Sequence, residues 1–252
     1  MKNPRLVGAA LAMTLFVLSR LLFHYVPGSE DIADVLVDGL VYLPFILLGP
    51  VLLIFLPRYR RGTRHSQEGL RLMSQGHIAA ALQQFEAARP LARSKVVPTY
   101  HIGTSRLQLW QLAAAERELS SLMDREDLTP AFRGQLFSAL ALVAALDGRL
   151  WQAMQRLDEV KTLGGGPFIA AVLASAVIAC RREAWAEAKQ ILDRPECDKL
   201  DGTLRGLREA LRAWCLERLT GEQHRVDAVT VFGEASPEAL QAAWPELTGF
   251  IL

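Results

Sequence analysis

The segment GLRLMSQGHIAAALQQFEAA, residues 69–88, indicates two short helices that meet at Gly76. Gly69 leaves room where the two helices cross, and Gly76 can take a turn conformation that other residues resist. Ala81 allows close approach of the helices, and Phe85 fills the space beneath. The second helix carries one apolar stripe at a spacing of three to four residues, formed by Ile78, Ala81, Phe85 and Ala88.

The same order of small, turn, small and large residues recurs three times downstream. A step of 34 residues leads from Gly69 to Gly103, although Trp110 replaces the turn glycine. The third copy lies 38 residues further on, and the fourth follows after 35 more, with Glu183 at its turn. The residues expected to pack the four copies are Gly69, Gly76, Ala81, Phe85, Gly103, Ala115, Leu119, Gly148, Ala153, Leu157, Ala176, Ala188 and Leu192.

Helix pairs with small residues at the crossing and a 34-residue step resemble the tetratricopeptide repeat. The resemblance covers residues 66–192 and implies four stacked helix pairs in an α-solenoid. A helix over 203–219 is expected to cover the open end of the stack, so that 193–252 forms a capping helix and a C-terminal tail. Within that tail, periodicity leaves either a strand or a helix open for 225–232.

Two apolar segments precede the repeats, at residues 6–26 and 35–56. Each is long enough to cross about 30 Å of hydrocarbon at about 1.5 Å per residue. A cleaved signal peptide is the alternative for the first, but the apolar run is too long and no small-residue cleavage site follows it. The predicted fold class is therefore all-α, with a transmembrane helical hairpin in residues 1–57 followed by a tetratricopeptide-like solenoid and its capping helix.

Charges flanking the two segments predict an orientation. The linker 58–65 is basic, whereas the short connection between the segments is acidic. By the positive-inside rule, both termini and the repeats are expected on the cytoplasmic side of the bacterial inner membrane. This layout is similar to that of HemY-type membrane proteins. The basic residues expected at the membrane junction are Arg58, Arg60, Arg61 and Arg64.

Composition and motifs argue against several classes of function. The chain has 28 basic and 27 acidic residues, so bulk charge does not favour nucleic acid as a partner. Its three cysteines are widely spaced and indicate neither a disulfide framework nor a zinc site. Because no metal-binding histidine motif, P-loop or nucleophile elbow occurs, we expect no enzyme activity, cofactor or metal.

The resemblance implies a binding groove on the first helix of each pair. In the tetratricopeptide family, groove residues lie three before, one after, and four to five after the small residue of that helix. We call the surface formed by these positions the first-helix face. Carried over from Gly103, Ala141 and Ala176, its residues are Tyr100, Thr104, Leu107, Gln108, Ser138, Leu142, Ala145, Leu146, Leu173, Val177, Cys180 and Arg181.

The groove lacks the Lys and Asn with which some family members hold a terminal carboxylate, which favours an apolar peptide or helix as the ligand. The alternative is that these residues pack against a neighbouring helix or the C-terminal tail. The leading hypothesis is a membrane-anchored scaffold that binds a protein partner through the groove and the bilayer through its two spans. The alternatives are a subunit of a transport or envelope-assembly complex that acts through the membrane hairpin, and an accessory factor of a membrane-associated biosynthetic enzyme.

Overall fold

The computed structural model describes residues 60–164, 168–200, 202–224 and 226–251. The chain divides into two compact units, Met1–Gly62 and Thr63–Leu252. Across the described residues the secondary structure consists of helices and turns, and no strand occurs there. The all-helical, solenoid-like character predicted from the periodicity is confirmed.

Eight helices form four consecutive helical hairpins, each made of a first and a second helix. The first hairpin comprises α1, at residues 60–74, and α2, Ile78–Ala88. The next three hairpins are α3 and α4, Val96–Gln108 and Leu112–Ser120; α5 and α6, Pro130–Leu146 and Leu150–Leu163; and α7 and α8, Ile169–Arg181 and Trp185–Leu192. After the 3₁₀ turn Pro195–Lys199 come α9, Gly202–Thr220; α10, Ala228–Phe232; α11, Pro237–Ala243; and α12, Pro245–Ile251.

The four hairpins share one turn geometry. Each turn has a residue at positive φ, which is 84° at Gly76, 58° at Trp110, 79° at Gly148 and 58° at Glu183. This left-handed conformation closes the end of a helix when the N–H of the following residue donates a hydrogen bond to the carbonyl five residues before it. That bond is 2.9 Å long in all four hairpins and joins His77 to Leu72, Gln111 to Arg106, Arg149 to Ala144, and Ala184 to Ala179.

Close helix crossings explain the small residues in the first two hairpins. A Cβ added at Gly69 would lie 2.7 Å from the Phe85 ring, and one at Gly103 would lie 2.6 Å from Leu119. Leu157, at the corresponding position of the third hairpin, is only half-buried. The other alanine and large residues that the repeat pattern selects are fully buried, namely Ala81, Phe85, Ala115, Leu119, Ala153, Ala176, Ala188 and Leu192.

Ion pairs connect neighbouring hairpins at the surface. Arg89 of the first hairpin lies 2.8 Å from Glu118 of the second, and Arg149 of the third lies 2.7 Å from Glu116 of the second. Partly exposed pairs of this kind contribute at most about 1 kcal/mol each. They therefore set the register of adjacent hairpins more than the stability of the stack, which comes from the buried apolar residues.

The most apolar helices, α5 and α7, lie inside the stack. Thr129 accepts a hydrogen bond from the N–H of Phe132, and Pro130 occupies the first helical position, so α5 begins where the sequence provides a cap. From Leu136 to Leu146 almost every residue of α5 is buried, and the same holds from Val172 to Cys180 of α7. Both helices are therefore covered on more than one side by other parts of the chain.

The predicted fold class is wrong in its membrane component. Among the residues that the structure describes, no helix is both long enough and apolar enough to span a bilayer. With 17 residues, α5 extends about 25 Å, and the longer α9 carries charged residues along its length. The proposed spans, 6–26 and 35–56, lie outside the described residues.

Candidate functional site

The first-helix face is the surface on which sequence reasoning placed a binding groove. Nine of its twelve residues are almost completely buried, with exposures of 0 to 7%. Only Tyr100, Thr104 and Arg181 are partly accessible. The buried residues are Leu107, Gln108, Ser138, Leu142, Ala145, Leu146, Leu173, Val177 and Cys180. As the chain folds in this structure, those nine residues pack internally, which is the alternative to a groove open to a partner.

Helix α9 covers one part of this face. It begins beside the second hairpin, where a Cβ added at Gly202 would lie 3.4 Å from the side-chain oxygen of Gln108. Further along, the sulfur of Cys215 lies 3.6 Å from that of Cys180 in the fourth hairpin. The helix has 19 residues, about 28 Å, and therefore extends over several hairpins in addition to closing the end of the stack.

The two sulfur atoms belong to free, buried thiols. The hydrogen bond with Cys215 and burial raise the pKa of the Cys180 thiol, so this group stays protonated and unreactive at neutral pH. Cys180 therefore acts as a small packing residue between α7 and α9.

Residues 226–251, which we call the C-terminal arm, contact the hairpins at both ends of the stack. Near its start, a carboxylate oxygen of Glu234 accepts a 2.6 Å hydrogen bond from the N–H of Ala79, and the same carboxylate lies 3.7 Å from His77. Near its end, Arg181 donates a 2.8 Å hydrogen bond to the carbonyl of Ala243. The arm therefore reaches from the first hairpin to the fourth.

Arg181 connects the C-terminal arm to the first helices of the third and fourth hairpins. Its guanidinium carbon lies 4.2 Å from the ring centroid of Trp244, and the group also donates a hydrogen bond to the carbonyl of Leu146 at the end of α5. Desolvation lowers the pKa of Arg181 from its ordinary value, although the group remains charged at any physiological pH. Arg181 thus joins the ends of two first helices to the end of α11.

Apolar side chains hold the arm against the rest of the fold. Trp214 of α9 packs against both Trp244 and Phe250, with ring centroids 5.7 and 6.0 Å away. The arm buries one side of its short helices and leaves the other side exposed. Its buried residues are Val231, Leu240, Trp244, Leu247, Thr248 and Ile251.

On the first helices of the first two hairpins, part of the surface beside the buried Leu107 and Gln108 is open. Leu70 is 46% exposed and Val97 is 48% exposed. Tyr100 and Thr104 are half-buried on the same helix as Val97. Tyr100 packs against Phe132 of the next hairpin at a centroid distance of 5.1 Å, and burial raises the pKa of its phenol to about 12.

Sequence reasoning missed Leu70 because it did not apply the groove positions to the first hairpin. Leu70 directly follows Gly69, as Thr104 directly follows Gly103. The same offset would have identified it. Val97 lies six residues before Gly103, which is not one of the groove positions of the tetratricopeptide family, and only its exposure in the structure identifies it.

No group of three or more His, Cys, Asp or Glu among the described residues could hold a metal ion. At the predicted membrane junction, Arg60, Arg61 and Arg64 are exposed on α1, whereas Arg58 lies outside the described residues.

No protein-family model matches the chain, and the searches of curated proteins and of solved structures found no match either.

Proposed function

We propose that this protein is a non-enzymatic interaction scaffold of the tetratricopeptide type, which binds an apolar helix or peptide of a partner protein on its first-helix face. The observation that carries the proposal is the position of Leu70 and Val97, two large apolar side chains left about half exposed on the first helices of adjacent hairpins. Exposed apolar groups with neighbouring aromatic residues are typical of protein interfaces.

The rest of the same face supports a ligand of this kind. Its portion on the third and fourth hairpins is already covered by amphipathic helices, which belong to the chain itself. The turn geometry common to all four hairpins makes the positions on the first two hairpins equivalent to those covered positions. Because Leu70 and Val97 are already about half buried, a partner helix that covers the rest gains roughly half of the value for full burial, about 0.7–1.5 kcal/mol for each.

Site-specific photocrosslinking in the full-length chain tests the proposal. A photoreactive phenylalanine is placed at position 70, 97 or 151 in separate variants. Trp151 is the matched control, because it is 71% exposed but lies on α6, a second helix. We expect an adduct of one mass at positions 70 and 97 and none at position 151.

Substitution then tests whether the two positions belong to one site. Leu70→Asp should reduce the adduct at position 97 at least tenfold, since the lost apolar burial and the cost of placing a carboxylate in the contact together remove more than about 1.4 kcal/mol of binding free energy. Trp151→Asp should leave that adduct unchanged. The proposal fails if crosslinking is equal at all three positions, or if Leu70→Asp has no effect on the adduct at position 97.

A further inference from the structure

We propose that the C-terminal arm is a replaceable ligand of the surface formed by Arg181 of the first-helix face and by α9, and that a partner helix with the same chemistry takes its place there. This chemistry is an amphipathic helix whose last turn presents a free carbonyl and a tryptophan. The assignment of a partner rests on the proposed function, whereas the replaceability of the arm does not.

The first argument is the construction of the arm. Its helices have only five, seven and seven residues, and isolated helices of this length do not form in water. The arm therefore takes its structure from the surface on which it lies. That surface consists of α9 and the end of the fourth hairpin, which are longer helices that pack directly against one another, so it has a source of order that is independent of the arm.

The second argument is the kind of contact at Arg181. The guanidinium bonds the carbonyl of Ala243, the last residue of α11, and lies over the ring of Trp244. A carbonyl left free at the end of a helix is offered by any helix, and an aromatic ring is a common partner for arginine. Arg181 therefore recognises a helix end followed by an aromatic residue, and a segment from another protein can supply both.

The third argument is the way in which the arm is joined to the fold. The chain between α9 and α10 includes Gly221, Glu222 and Gln223, all of which are exposed. At the first hairpin, the contact of Glu234 with Ala79 and His77 is also exposed. The arm is thus attached covalently by a solvent-accessible connection, and it can leave the face without the hairpins having to separate.

The test uses the full-length chain with a protease site introduced at residues 221–224. The protein is folded, cut at that site and mixed with a fluorescent peptide that has the sequence of residues 226–252. We expect the cut chain to keep its helical circular dichroism and to exchange its arm for the labelled peptide, which fluorescence anisotropy detects.

Variants define the contacts that matter. A peptide with Trp244→Ala should bind at least tenfold more weakly, and Arg181→Lys in the cut chain should weaken the unchanged peptide, because lysine cannot reproduce the planar contact with the ring. A peptide with Gln241→Ala is the control and should bind normally, since Gln241 is exposed in α11.

Three results would overturn the inference: unfolding of the chain on cleavage, absence of exchange in the presence of excess peptide, and equal binding by the Trp244→Ala peptide. Because no partner protein takes part, exchange can succeed even if the crosslinking at positions 70 and 97 fails. Crosslinking at positions 70 and 97 can likewise succeed even if the arm does not exchange, so the two proposals can be rejected separately.

Discussion

Replacing Glu183 with glycine is expected to stabilise the protein. Glu183 occupies the turn of the fourth hairpin at a φ of 58° and is exposed there. A left-handed conformation costs a residue with a Cβ about 1–2 kcal/mol, while glycine loses about 0.5–1 kcal/mol through its greater freedom in the unfolded chain. The net gain for Glu183→Gly is therefore about 0.5–1 kcal/mol.

Thermal unfolding of the full-length chain, followed by far-ultraviolet circular dichroism, measures this gain. For a domain of this size, the expected rise in Tm is about 1–4 °C. Glu183→Ala is the matched control, because it removes the same side chain but keeps the Cβ, and it should give no rise.

The opposite change in the first hairpin provides a second control. Gly76 has a φ of 84°, and a Cβ added there would meet nothing within 4 Å. Gly76→Ala should therefore lower the Tm through the backbone conformation alone. A lower Tm for Glu183→Gly, or an unchanged Tm for Gly76→Ala, would refute the idea that both turns impose the same left-handed conformation.

Two further predictions concern packing and pH. Gly103→Ala should destabilise the fold by about 1–3 kcal/mol in chemical denaturation, because its Cβ would lie 2.6 Å from the buried Leu119. Gly249→Ala is the control and should be neutral or stabilising, because a Cβ added there meets no atom within 4 Å. Burial lowers the pKa of His101 below its ordinary value of 6.5. The contribution of the neutral His101 to stability is therefore present above pH 6.5 and is lost as the pH falls. His101→Phe should reduce the drop in Tm between pH 7 and pH 5. An unchanged drop would contradict this prediction.

Local spacing was sufficient to predict an all-helical, solenoid-like body, because helices that cross closely need small residues at regular intervals. Gly69 against Phe85 and Gly103 against Leu119 are contacts of this kind. The turns at Trp110 and Glu183 are different. There the residue type does not favour positive φ, and packing of the two helices imposes the conformation instead.

The state of the candidate site depends on contacts that no local pattern reports. Arg181 and Ala243 are 62 residues apart, and Ala79 and Glu234 are 155 apart. Spacing within one helix shows which residues share a face, but it does not show which distant segment covers that face. For this reason, the repeat pattern places Leu142 and Val177 in an open groove, although both residues are buried in the structure. Hydropathy alone also favoured a membrane hairpin, and no described helix qualifies as a span.

The position of the arm after the four hairpins has a consequence for synthesis. Residues 226–251 are synthesised after all four hairpins. Until then, Trp214 of α9 lacks its contacts with Trp244 and Phe250, and exposed apolar surface on a nascent chain attracts chaperones and promotes aggregation. A chain released before the arm is made would therefore contain the four hairpins and α9 but would leave the ring of Trp214 without these two aromatic partners.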